Sequence, residues 1–84
     1  MKPVPLRIFT PVRVVWVDST VTPGWNYDGV TPRVNEVVTL GFVAGTTEEA
    51  LLIGHTLDSS GGLLEPVNIP WGCVKEIKTV RLPK

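Results

Sequence analysis

The sequence predicts an all-β domain, a small five-stranded barrel with a short 3₁₀ turn before its last strand. Three observations carry that prediction. Runs rich in β-branched and aromatic residues recur at hairpin spacing, separated by Gly, Pro and Asp turn signals. No stretch reads strongly as a helix, and no internal repeat is apparent. Near the end, Ile69-Pro70-Trp71-Gly72-Cys73-Val74 stops one strand with an apolar residue and a proline, turns tightly and begins a new apolar run. Small closed barrels often end this way. At 84 residues the chain makes one domain, with residues 1–11 as a proline-rich arm and residues 12–84 as the barrel.

The arm holds Pro3, Pro5 and Pro11, which favour an extended path. Its Leu6, Ile8 and Phe9 call for cover from the barrel or from a neighbouring subunit. Residues 12–18 form the first strand, with Val12, Val14 and Trp16 on one face and Arg13, Val15 and Val17 on the other. Both faces are largely apolar. Residues 19–33 form a long loop, marked by Pro23-Gly24 and Asp28-Gly29. Loops of that length in small domains tend to be functional. Residues 34–44 form the second strand, where Val38, Leu40 and Phe42 alternate with Val37, Thr39, Gly41 and Val43. A turn at 45–49 leads to a third strand at 50–57, in a register that sets Gly41 opposite Gly54. Two facing glycines permit a sharp bend or a close backbone approach. After a turn at 58–62, residues 63–69 form a fourth strand, at an edge or bulged because Pro66 cannot donate to a ladder. The last strand, 74–82, places Val74, Ile77, Val80 and Leu82 out of clean alternation, which predicts a bulge.

Composition bounds the function. Hydrophobic residues make up 43% of the chain, more than so short a domain hides easily. Homo-oligomerisation is the expected outlet, with a tightly packed monomer as the alternative. The single cysteine, Cys73, excludes an internal disulfide and reads as a small buried hydrophobe. Prolines interrupt any signal-peptide core, and no apolar run approaches the roughly 20 residues that span a bilayer, so a cytoplasmic protein is expected. Net charge is zero but uneven: residues 1–17 and 71–84 each carry +3, and the middle carries −6. Side-by-side first and last strands would make one region basic and another acidic, a polarity suited to head-to-tail stacking or to meeting a partner in a fixed orientation, against the preferred reading of ordinary scattered surface charge.

Three resemblances bear on these residues. Gly62 with Ile69-Pro70-x-x-Cys73-Val74 resembles the end of SH3 domains, where an apolar-Pro-x-x-Tyr-Val segment holds the 3₁₀ turn. The long loop after the first strand resembles the one that flanks the SH3 peptide groove. The resemblance implies an SH3-like barrel. Cys73 stands where those domains place the Tyr that grips proline-rich ligands, so that binding mode is not implied. The apolar-x-Gly-x-x-apolar run of the last strands resembles Sm-like barrels, which form rings by edge pairing, but Trp71-Gly72 stands where that family has Arg-Gly or Lys-Gly, so RNA binding is not implied. The layout Val14-x-Trp16-x-Asp18-Ser19, Gly24-Trp25, Val38-x-x-Gly41-Phe42 and Ile69-Pro70-x-Gly72-Cys73 resembles small proteins of bacteriophages and mobile elements, a group with no common activity.

The chemistry-bearing residues are sparse. His55 is the sole histidine and reads as a core-edge residue on the third strand. A Ser19, His55 and Asp58 trio lacks any nucleophile-elbow context. No phosphate loop, paired catalytic carboxylates or metal-ligand spacing is apparent, so no enzyme activity, cofactor or metal is expected. The aromatic loop carries more signal. Trp25, Tyr27 and Asp28, with Trp71 near the barrel end, form the candidate partner or ligand surface, against the reading that Trp25 folds back as a barrel plug. The expected function is a non-catalytic binding or assembly module, acting as a homo-oligomer. The alternatives are a nucleic-acid-binding ring using Arg13, Lys75, Lys78, Arg81 and Lys84 with Trp71, and a protein that sequesters a small ligand between subunits near Trp25 and Tyr27.

Overall fold

The computed structural model describes residues 1–20 and 23–81. The strands are β1 (Pro11–Asp18), β2 (Asn35–Thr46), β3 (Ala50–Gly54), β4 (Val67–Pro70) and β5 (Val74–Thr79), with a 3₁₀ turn at Trp71–Cys73 between the last two. They form one antiparallel sheet in the order β4-β3-β2-β1-β5. The all-β class, the five strands and the 3₁₀ turn follow the sequence pattern.

The sheet is not closed. No ladder joins β4 to β5, which are its two edges. The fourth strand is shorter than its apolar run, with four residues bounded by Pro66 and Pro70. Glu65 takes a left-handed φ of 45°, so the chain turns just before Pro66, and Leu63 contributes only an isolated bridge to Leu57. Still, the sheet curls strongly. Ile69 on one edge and Val74 on the other belong to one buried cluster with Val12, Val14, Val43, Leu51, Ile53 and Trp71. In a flat sheet about 19 Å would separate those edge strands.

Glycine allows the curl. A β-carbon on Gly41 would lie 2.4 Å from the Gly54 carbonyl oxygen, and one on Gly54 would lie 2.7 Å from the Phe42 ring. The expected pairing of Gly41 with Gly54 is off by one: Phe42 faces Gly54, and after a bulge near Ala44, Gly45 faces Leu52. The β2 strand runs on to Thr46, so a three-residue turn at 47–49 resets the register. There the Thr47 hydroxyl accepts from the amides of Glu49 and Ala50. The bulge expected in the last strand is present, where Val15 pairs with Glu76 but Trp16 with Val74.

The β3 strand ends at Gly54, short of the expected residue 57, and His55 is exposed rather than set at the core edge. Cys73 is partly buried against the core. The expected apolar residue Leu82 lies outside the described residues, as does Lys84. The arm lies on its own sheet. Val4 and Leu6 pack on the core, the Phe9 amide donates to the Val43 carbonyl, and the Val43 amide donates to the Thr10 carbonyl. No helix among the described residues is long and apolar enough to cross a membrane.

Candidate functional site

Alternation along β1 and β2 sorts their side chains between two faces. Val12, Val14 and Trp16 point with Val43 into the concave core. The opposite, convex face carries Pro11, Arg13 and Val15 on β1 beside Phe42, Leu40 and Val38 on β2. This outer face is unusually apolar. Leu40 is 61% exposed, and Val38 is also exposed. At its Pro11 end, the arm and the segment after β5 build walls.

The result is a groove of about 580 Å³ lined by Phe9, Pro11, Leu40, Phe42, Leu57 and Val80 among others. Its size lies within the roughly 300–1,000 Å³ typical of ligand pockets. Phe9 is 60% exposed and stands 5.9 Å, centroid to centroid, from Phe42 in a tilted pair. The Phe9 backbone is left-handed, with φ of 71°. Such a φ is a genuine outlier for a bulky residue and costs of order 1–3 kcal/mol. It sits in a turn closed by the Thr10 amide on the Arg7 carbonyl.

Charge borders this groove on one side. Arg13 pairs across the sheet with Leu40 on one flank and Lys78 on the other. Lys78 contacts Glu76 at 3.1 Å, whereas Arg13 has no carboxylate partner among the described residues. Further along, Lys75 donates to Glu36 at 2.8 Å. That hydrogen bond, with the attraction of the Glu36 charge, holds the Lys75 ammonium above its ordinary pKa of 10.5. Arg81 is exposed near the C-terminal side of β5. Two of the four described cations nominated for nucleic acid therefore face carboxylates.

No protein-family model, curated protein or solved structure matches this chain. The site rests on its own geometry.

The aromatic candidates separate. Trp71 is 3% exposed and belongs to the core, with its indole on the Thr47 carbonyl and its amide on the Glu49 carbonyl. It cannot share a surface with the loop. Trp25 and Tyr27 are 89% and 90% exposed, so Trp25 does not fold back over the end of the curled sheet. Gly24 and Gly29, both left-handed, bracket the loop tip, and Asn26 closes on the Gly24 carbonyl. Asp28 lies exposed in that tip. Val21 and Thr22 of the same loop lie outside the described residues.

The remaining polar candidates do not assemble. Asp58 binds the amides of Ser60 and Gly62 at 2.9 and 2.7 Å, which fixes its turn. Among the described residues, no three His, Cys, Asp or Glu side chains are placed to hold a metal ion. No sequence motif joins the groove residues Phe9, Leu40, Phe42, Leu57 and Val80 into one site. Their signal was present in the two apolar faces of β1 and in the Val38, Leu40, Phe42 alternation.

Proposed function

We propose that this protein is a non-catalytic binding or assembly module that works through the convex face of its sheet. The observation that carries this reading is the apolar groove between Phe9, Leu40, Phe42 and Leu57. Large exposed apolar patches on small domains mark interaction sites. The surface budget agrees. The chain exposes 6586 Å², whereas a compact monomer of 9.2 kDa exposes roughly 4,900 Å². Self-association in the cytoplasm hides that excess.

An SH3-like barrel is the architecture we favour. The long loop after β1, the pairing of the first and last strands, and the 3₁₀ turn before β5 support it. Completion of the barrel by a further contact along β4 and β5 fits the two open edges. Nucleic-acid binding is the weaker reading, because Glu36 and Glu76 occupy Lys75 and Lys78.

Sedimentation equilibrium tests the proposal. Wild-type protein is expected to associate with rising concentration, and Leu40→Glu to remain monomeric with an unchanged far-UV spectrum. Association unaffected by Leu40→Glu would remove the convex face from the reading.

A further inference from the structure

The groove and the aromatic loop are two unsatisfied surfaces on one chain, and they lie at opposite ends of the same strands. The loop leaves β1 at Asp18 and returns at Asn35, a paired position, while Pro11 and Phe42 pair at the groove. Seven residue steps of strand, roughly 23 Å, separate the two pairs. The molecule is elongated to match, measuring 53 × 27 × 27 Å. Its radius of gyration is 15.6 Å, where a compact chain of this length has about 12 Å. The exposure of Trp25 and Tyr27 shows that the loop does not occupy its own groove.

We infer that the groove's occupant is a second copy of this chain, which inserts Trp25 and Tyr27 from its loop between Phe9, Leu40, Phe42 and Leu57. This rests on the assembly reading above and names its partner. Three features support it. The two surfaces are chemically matched, since two exposed aromatic side chains with polar tips meet a groove whose side chains are all apolar. Charges are complementary. Asp28 follows Tyr27 directly, and Arg13, lacking a carboxylate among the described residues, borders the groove beside Leu40. The areas also agree. The chain exposes roughly 1,700 Å² beyond a compact monomer, and a standard interface hides about 800 Å² per partner. A chain that donates a loop and receives one takes part in two such contacts.

The loop is built to act as a donor. Left-handed Gly24 and Gly29 define a local turn, and the Asn26 side chain braces it at 3.0 Å. The backbone that carries the two aromatic residues is thereby partly ordered before docking, which lowers the entropic cost of docking.

Complementation tests the inference. The donor variant Trp25→Ser/Tyr27→Ser and the acceptor variant Leu40→Glu both change exposed residues, and circular dichroism verifies their folds. Each alone is expected to lose self-association by about 100-fold or more. An equimolar mixture is expected to form a 1:1 complex, because an intact loop then meets an intact groove. Wild-type indole emission is expected to shift to the blue with concentration, and the Leu40→Glu emission to stay fixed. If the acceptor variant is monomeric but the donor variant still associates, the groove assembles with some other element and this inference falls while the assembly reading stands. If the wild type stays monomeric and native mass spectrometry shows a retained apolar small molecule, both fall in favour of sequestration. If it is monomeric and empty, both fall.

Discussion

The indole Nε1 of Trp71 donates a 2.8 Å hydrogen bond to the Thr47 carbonyl and so ties the 3₁₀ turn to the β2–β3 hairpin. The same residue sits in the core between strands from both edges of the sheet, and its carbonyl accepts from the Met1 ammonium at 2.9 Å. Trp71 therefore holds hairpin, edge turn and arm at one point. Truncation to alanine is expected to destabilise by about 3–5 kcal/mol, comparable with the whole stability of so short a chain. Trp71→Phe keeps an aromatic ring but gives up the hydrogen bond and part of the buried volume, a loss of about 1–3 kcal/mol, smaller than that of alanine. Urea denaturation followed by far-UV circular dichroism orders the three proteins. A Trp71→Ala protein as stable as the wild type would contradict the anchoring role.

Gly41 and Gly54 set the curvature. An alanine at 41 meets a backbone oxygen, which cannot swing aside as a side chain would. Gly41→Ala is expected to lose roughly 1–3 kcal/mol through overpacking. Gly45 has nothing within 4 Å of its notional β-carbon and no left-handed φ, so Gly45→Ala is neutral or stabilises by up to about 1 kcal/mol. Thermal melts of the pair separate close approach from a general glycine effect, and equal melting points for the two variants would sink the argument.

These glycines also show what the sequence could and could not disclose. Their role was legible, since two glycines near one level of a hairpin permit backbones to close. Their register was not, because a three-residue turn and one bulge moved the pairing by one and then by two positions. Strand existence followed from β-branched runs, yet strand ends depended on Pro66, Glu65 and Gly54, where local backbone geometry decides. Trp71 misled for a different reason. Sequence marks a tryptophan as a large amphipathic contact without saying whether its partner is solvent-facing or the chain's own hairpin. The groove was hidden because Phe9, Leu40, Leu57 and Val80 come from four distant segments that only folding brings together.

The exposed Lys75–Glu36 pair supports a prediction at alkaline pH. Lys75 has a folded-state pKa above its ordinary 10.5, so the pair's contribution is fully present below that value. It disappears as pH rises through the folded pKa. Both side chains are more than half exposed, so the effect on stability is small and screened by salt. NMR titration of the Lys75 Cε protons is expected to show the raised midpoint, and Glu36→Gln to return it toward 10.5. A midpoint unmoved by Glu36→Gln would show that Glu36 is not its cause.

Phe9 carries the last prediction, because it joins backbone strain to the groove. The turn position with φ of 71° suits glycine, whereas a side chain there crowds the backbone. Phe9→Ala removes the ring and keeps the strain. Phe9→Gly removes both, so it is expected to be more stable than Phe9→Ala by about 1 kcal/mol. Stability alone would then favour glycine over alanine at this position, and the ring must justify itself by its contacts. One contact is internal, the tilted pair with Phe42 at 5.9 Å, but the ring remains largely open to solvent. If the strained turn exists to present that ring, Phe9→Gly weakens self-association by at least about tenfold, the weight of a modest hot spot, while denaturation shows a folded protein. Unchanged association in a well-folded Phe9→Gly protein would confine the ring's role to packing on Phe42.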